Sequence, residues 1–224
     1  WQQGGGGRSN DVRNRHLLKA VNMENARSSV ELIAHDTVCS SYYSLDRYWL
    51  RHRLHEGGWS GEIQRDVFER GNAATVLLYD PDRGEVVLVE QFRTGVFAAG
   101  DAKPWTLETV AGAAEEGEGM EDLVRREAQE EAGVTVGHLI KIPGIYPTPG
   151  ACSEFFWIFC GRVDSSVAMG VHGKVDEGED IQVVVLELGE ALRAIERGQI
   201  QAGYSVVALQ WLALNRKSVA KAWA

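Results

Sequence analysis

The chain has 224 residues, a formal charge of −9 and an apolar content of 44%. That length suits one domain, or one domain with a smaller appendage, and the apolar content can build a full core. The acidic balance argues against sequence-independent binding of a polyanion such as DNA, which needs a basic surface; a small phosphorylated ligand held through metal ions remains open.

Residues 1 to about 28 are rich in Gly, Ser, Asn and Arg and begin "WQQGGGGRSN", without the apolar stretch of a secretion signal. They read as a mobile tail, because ordering the glycine run costs entropy and buries little. From Ser29 the pattern turns to strands. "VELIAHDTV" and "YYSLDRYWLRHRL" alternate apolar and polar residues, and the Gly-rich turn "HEGGWSG" leads into "EIQRDVFERG". Residues 29–66 therefore predict a small antiparallel β-subdomain, with the main domain over 67–224. "AATVLLYD" and "EVVLVEQF", joined by "PDRG", read as strands of a buried sheet, and "WTLETV" as another after a Gly/Ala loop. A helix follows over about Met120 to Ala132, stopped by Gly133. "VTVGHLIKIPGIY" and "EFFWIFCGRV" are further strands, a polar loop runs from about Asp164 to Gly178, and "DIQVVVLEL" is a strand. "GEALRAIERG" and "YSVVALQWLALNRK" are amphipathic helices. This order predicts an α+β fold, an α/β/α sandwich on a mixed sheet with the β-subdomain attached.

The three cysteines, Cys39, Cys152 and Cys160, include no C-x-x-C pair and have no Cys or His at ligand spacing. They read as free thiols of a reducing, cytoplasmic compartment, with no zinc site. No apolar run approaches the roughly 20 residues of a membrane span.

The chemistry concentrates in "VRREAQEEAGV". On a wheel of about 3.6 residues per turn, Met120, Leu123, Val124, Glu127, Ala128 and Glu131 share one broad face. Glu130 lies at its edge, while Asp122, Arg125, Arg126 and Gln129 point largely the other way. A solvated face laced with i,i+4 ion pairs is the ordinary reading of such a helix. The wheel weakens it by putting Glu127 and Glu131 on the apolar side, away from the arginines. Two carboxylates at a core edge repel and lose solvation, so they must protonate or hold cations. Oxygen-only ligands suit Mg²⁺ or Mn²⁺.

The preceding residues extend the pattern. In "GAAEEGEGMEDLVRREAQEEAGV", Gly112 is followed after five residues by Glu118, and after seven more by Arg126-Glu127, then Glu130-Glu131 and Gly133. This resembles the Nudix box, G-x5-E-x7-R-E-U-x-E-E-x-G-U with U a bulky apolar residue. Every fixed position matches, and the one departure is Ala128 at the first U. The resemblance implies a Nudix fold and divalent-metal hydrolysis of a nucleoside diphosphate linked to another group. It implies that Glu127 and Glu131 are the main metal ligands, with Glu130 and the Ala111 carbonyl assisting. Arg126 would orient a glutamate, Glu118 would brace the loop, and Gly112 would allow the turn at its entrance.

The resemblance extends from about Glu31 to Ala224. "SLDRYWLRHRL", "RDVFERG", "VVLVEQFR", "PWTLETVAGAAEEGE", "TPGACSE", "GVHGKVDEGEDI" and "SVVALQWLALN" together are similar to the bacterial ADP-ribose pyrophosphatases. That implies a homodimer with exchanged N-terminal β-subdomains, and hydrolysis of ADP-ribose to AMP and ribose 5-phosphate. Glu177 matches the general base and Glu179 a further metal ligand, so Glu177, Glu127, Glu131 and Arg126 form the implied catalytic set. Arg65, Arg93, Tyr42, Thr148 and Glu154 match substrate-binding positions. "TPGACSE" departs from the subgroup's Ser-Pro-Gly-Gly-Thr at Ala151 and Cys152. The residues themselves leave alternatives open: Arg65 and Arg93 as surface arginines, Tyr42 as a buried sheet aromatic, 171–180 as a solvated acidic loop. Two other functions also stay in view, a nucleotide-sugar pyrophosphatase acting on a compound such as GDP-mannose, and a non-catalytic ADP-ribose sensor. The sensor reading goes with a degraded box, and the box here is complete.

Overall fold

The computed structural model describes residues 29–174, 176 and 178–223. The expected N-terminal tail and Glu177 lie outside them. The chain divides into two compact units, one reaching to Gly71 and including Thr148–Glu154, the other comprising 72–147 and 155–224.

The first unit is a three-stranded antiparallel sheet in the order β1 (Val30–Ser40), β2 (Ser44–His52), β3 (Ile63–Glu69). Alternation puts opposite charges across from one another. Asp66 accepts two bonds from Arg47 at 2.7 and 2.9 Å, and Glu31 accepts from Arg51 at 2.8 Å. Such cross-strand pairs help fix register. Every residue of β1 is solvent-exposed, including Val30, Leu32, Ile33 and Val38.

The second unit is built on an eight-stranded mixed sheet. Its path runs β10 (Val171–His172), β11 (Ile181–Glu187), β5 (Glu85–Phe92), β4 (Ala73–Asp80), β9 (Phe156–Arg162), β8 (Leu139–Ile145). β6 (Trp105–Glu108) pairs with β5, and β7 (Val110–Ala113) with β4. All pairings are antiparallel except β4 with β9. All eight residues of β4 are buried, which explains its near-continuous apolar run: a central strand covered on both faces needs no polar side. Leu77, Tyr79 and Leu88 pack on one face with α3 (Leu188–Glu196) and α4 (Gly203–Trp223). Val76, Leu78, Val87 and Val89 pack on the other with α2 (Met120–Ala132). The expected helix–sheet–helix layering is observed. None of the described helices is long and apolar enough to cross a membrane.

Several local readings are corrected. "WTLETV" is not one strand, because the chain changes partners at Thr109. The Thr109 amide donates to Ser205 Oγ at 2.9 Å instead of to a ladder, and its hydroxyl contacts Thr75 Oγ1 at 2.6 Å. The strand expected from Val134 starts only at Leu139, since Arg125 Nη1 takes the carbonyls of Val136 and Gly137. The Gly/Ala loop contains a short helix, α1 (Thr94–Ala98). The polar loop after Asp164 contains a 3-10 turn, Ser165–Val167, and the short strand β10. α4 runs six residues beyond Lys217, because Trp223 is buried against Tyr79, with ring centroids 6.2 Å apart. Cys39, Cys152 and Cys160 form no disulfide, and Cys160 is buried.

Candidate active site

Helix α2 has the boundaries its sequence implies. It ends at Gly133, which adopts φ 66°, a left-handed conformation costly for other residues. A Cβ there would also come within 2.7 Å of the His172 ring on β10. Leu123, Val124, Ala128 and Ala132 face the sheet, and Ala128 is fully enclosed, so the small residue at the first U position fills its place. Glu131 is on the same side and only 4% exposed.

β7 runs alongside and supplies the second wall. The Ala111 amide donates to Glu131 Oε2 at 3.3 Å. Gly112 lies so close to Glu127 that a Cβ on it would sit 1.9 Å from Oε1. Gly112 is therefore required by approach rather than by backbone conformation; its φ is not positive.

Electrostatics separates the carboxylates. Burial pushes Glu131 up to about 8; Glu127 and Glu179 push the same way, while the Ala111 amide and Arg93 oppose. Burial also raises Glu127, with Arg126 pulling back. Glu118 is held below the usual carboxylate range, first by its bonds from Arg126. Arg126 is the hub. Its Nε and Nη2 donate to Glu118 at 2.9 and 3.0 Å, and its Nη1 donates to Glu127 and Glu130 at 2.9 Å each. This corrects the wheel, which pointed Arg126 away from the glutamates. A long, flexible side chain can reach round a helix turn that its Cα direction does not. Glu118 also accepts from the Glu115 amide at 3.0 Å, which ties down the loop before α2.

From the polar loop, Lys174 Nζ lies 3.2 Å from Glu130 Oε2, a partner the sequence reading missed. The Lys174 amide donates to Glu179 Oε2 at 2.9 Å, and Glu179 returns its own amide to the Lys174 carbonyl at 3.1 Å. Glu179 is thus set beside the helix carboxylates, while its neighbour Glu177 lies outside the described residues.

Among the described residues, no three His, Cys, Asp or Glu side chains converge as a ready-made metal cage. Arg126, Lys174 and backbone amides occupy Glu118, Glu127, Glu130 and Glu179 instead. The donor set still fits a hard divalent cation. Its donors are carboxylate oxygens, and Glu131 is desolvated beside a second carboxylate without a direct cationic partner among the described residues.

The substrate candidates divide between the two units. Arg93 directly follows β5 in the second unit, close enough to Glu131 to oppose its upward shift. Its guanidinium is held by Glu108 and Tyr204, neither of which the sequence reading singled out. A glutamate inside the buried run "WTLETV" was the available signal. Tyr42, Arg65, Thr148 and Glu154 belong to the first unit. Tyr42 is 80% exposed in the single chain, in the turn between β1 and β2 rather than within a strand. Arg65 is exposed on β3 and donates to its neighbour's carbonyl, Gln64, at 2.7 Å. The Thr148 carbonyl receives the Ala151 and Cys152 amides at 3.1 and 2.9 Å, closing the tight "TPGAC" turn. Glu154 is buried and paired with Arg70 at 3.0 Å. Arg70 lies over the Tyr43 ring, and Tyr43 packs edge-on against Tyr42. A chain of contacts therefore links Tyr42 to Glu154.

A sequence model for the NUDIX domain matches residues 69–205. The chain is 45% identical over 198 residues to the ADP-ribose pyrophosphatase of Escherichia coli K12, covering 88% of this chain and 94% of that one. It is 36% identical over 200 residues to the Haemophilus influenzae ADP-ribose pyrophosphatase, covering 88% and 92%. It is 37% identical over 149 residues to the GDP-mannose pyrophosphatase of Citrobacter koseri, covering 66% and 77%. A crystal structure of an ADP compounds hydrolase superposes with a TM-score of 0.62 at 18% identity, over 83% of this chain and 95% of that one, a likeness of fold. With the matched domain spanning the carboxylate helix, the loop before it and the sheet beneath, the chain belongs to the Nudix family.

Proposed function

We propose that this protein hydrolyses the pyrophosphate linkage of ADP-ribose to AMP and ribose 5-phosphate with a divalent metal, Mg²⁺ or Mn²⁺. The observation that carries this reading is the 45% identity along 94% of a relative bearing that activity in its name. The buried pair Glu127 and Glu131 behind Gly112 supports it. Glu127, Glu131, Glu130, Glu179 and the Ala111 carbonyl would hold the metal. Bound there, a divalent cation neutralises the pyrophosphate and stabilises the charge that develops as the P–O bond breaks.

The chain's own residues do the rest. Arg126, braced by Glu118, holds Glu127 and Glu130 in place. Glu177 takes a proton from the attacking water as oxygen joins phosphorus and the bridging oxygen departs with the other phosphate. Lys174 and Glu179, which flank Glu177 in the sequence, are joined by reciprocal bonds. Arg93 grips the substrate through its guanidinium. Arg65, Tyr42, Thr148 and Glu154 are the further substrate-binding residues of this reading, Tyr42 as an exposed ring open to stacking on a base.

The working form is a cytoplasmic homodimer that exchanges its N-terminal β-subdomain, residues 29–66. Exposed Val30, Leu32, Ile33 and Val38 on β1, and exposed Phe92, Phe97 and Trp105 in the second unit, support that reading, because isolated chains rarely leave such clusters bare. Sedimentation at micromolar concentration should give twice the chain mass.

Turnover on ADP-ribose, GDP-mannose and ADP-glucose with Mg²⁺, with products identified, tests the assignment. The similarity to GDP-mannose pyrophosphatases makes the nucleotide-sugar reading the competitor. Preference for GDP-mannose would establish it, and absence of any Mg²⁺-dependent hydrolysis would revive the sensor. E177Q at wild-type rate under saturating Mg²⁺ removes Glu177 as the base. E131Q with unchanged metal dependence removes Glu131 as a ligand.

A further inference from the structure

Arg93 is gripped from behind by a buried network. Its Nε donates to both oxygens of Glu108, at 3.2 and 3.1 Å, and its Nη2 donates to Glu108 Oε2 at 2.6 Å. Tyr204, in the first turn of α4, donates its hydroxyl to the same Oε2 at 2.6 Å, and its oxygen lies 3.4 Å from Arg93 Nη2. The Thr106 hydroxyl donates to Glu108 Oε1. Glu108 is 3% exposed, and the Tyr204 ring stacks on Phe156 with centroids 4.4 Å apart and planes 14° apart. The carboxylate is thus saturated by donors from three residues, two of them on elements far apart in sequence.

A part-buried ion pair of this kind is weak evidence for stability, because desolvation offsets much of its attraction. Its distinctive product is geometry. A guanidinium bonded through Nε and Nη2 to one fixed carboxylate has its plane set, and Nη1 remains without a partner among the described residues. The Tyr204 hydroxyl stays protonated across any working pH, since burial and Glu108 push it well above the usual tyrosine range. It therefore always donates. The fixed guanidinium also lies within electrostatic reach of Glu131 on the carboxylate helix.

We infer that Glu108 and Tyr204 are positioning residues that lock the Arg93 fork and present its open Nη1 edge to the substrate. The inference rests on Arg93 being a substrate contact. It assigns the first residue of α4 beyond Gly203 a part in substrate affinity without touching substrate.

The test uses the full chain with Mg²⁺ and ADP-ribose, and variants R93A, Y204F, E108Q and R93A/Y204F, each checked by thermal melt. R93A should raise KM about 100-fold and Y204F about tenfold, the scale of charge-assisted bonds lost or misaligned. kcat in Y204F should stay within about twofold of wild type, since ground-state and transition-state grip fall together. In the R93A background Y204F should add nothing, because its effect passes through the arginine. E108Q, which keeps the shape and removes the charge, should raise KM at least as much as Y204F; if it does not fold, the Y204F cycle decides. Additive losses in R93A/Y204F, or a fall in kcat at constant KM, would overturn the positioning role. A strong R93A defect beside unaltered Y204F also overturns it while leaving Arg93 as a contact. Unchanged KM and kcat in R93A would instead remove Arg93 from the substrate, and the inference with it.

Discussion

Gly112 offers the sharpest separation of site from scaffold. A Cβ built there would stand 1.9 Å from Glu127 Oε1, 2.3 Å from Cδ and 2.7 Å from Cγ. Reaching ordinary contact requires the Glu127 carboxylate to move by more than about 1 Å, and displacement of that size costs on the order of 100-fold in a catalytic constellation. The move also breaks the 2.9 Å bond from Arg126 Nη1. The obstructing atoms belong to the end of a flexible side chain, and Gly112 has no left-handed φ, so the fold itself can adjust. Overpacking should cost about 1–2 kcal/mol, offset in part by the roughly 0.4–1 kcal/mol that Ala contributes by restricting the unfolded chain. G112A should therefore melt within a few degrees of wild type, yet lose about 100-fold in kcat/KM and bind Mg²⁺ much more weakly in calorimetry. Wild-type Mg²⁺ affinity in a folded G112A protein would refute the placement of Glu127 as a ligand held against β7.

Glu131 predicts a pH effect on the metal-free protein. Its folded pKa of about 8 stands above the ordinary 4.5, so between those values the folded chain binds more protons than the unfolded one. Stability must then fall as pH rises through that window, by about 2–4 kcal/mol, and level off above it. Urea denaturation at pH 5 and pH 8.5 in chelator measures the fall, and E131Q should remove most of it, Glu127 being raised in the same direction; an equal fall in both proteins would count against the assignment. Lys174 lies against Glu130 and also lowers Glu118 and Glu127, so it competes with any cation for the same charge. K174M should bind Mg²⁺ about three- to tenfold more tightly, a modest gain because the pair is part-exposed; weaker binding in titration calorimetry would contradict it. S205A leaves the buried Thr109 amide without its acceptor. It should cost about 1–3 kcal/mol, seen as a melting temperature lowered by several degrees.

What could be read from the sequence was what local periodicity controls. The apolar run of β4 announced a strand buried on both faces, and the 3.6-residue spacing of Leu123, Val124, Ala128 and Ala132 announced the buried side of α2 together with its Gly133 stop. The break at Thr109 was invisible because its cause, Ser205, is 96 residues away and acts through one hydroxyl. The delayed start of β8 was hidden for a similar reason: a side chain on α2, Arg125, claims backbone carbonyls that alternation alone assigns to a ladder.

The site follows the same division. Glu127 and Glu131 are one helical turn apart, so their shared face is a property of the helix and was legible. The direction of Arg126 was misread because a wheel places Cβ atoms, while the guanidinium that bonds Glu118, Glu127 and Glu130 lies several bonds beyond. Lys174 and the Glu108–Tyr204 support depend on loop closure and on a helix packing against a strand 96 residues earlier. Metal ligands recur in local motifs because a helix and the adjoining strand can present most of them. The groups that bond the proposed ligands and hold Arg93, the proposed substrate contact, come from wherever the fold brings donors and acceptors together. On the proposed roles, substitutions at Lys174 or Tyr204 should therefore change affinity for metal or substrate while every position of the Gly112–Val134 motif stays the same.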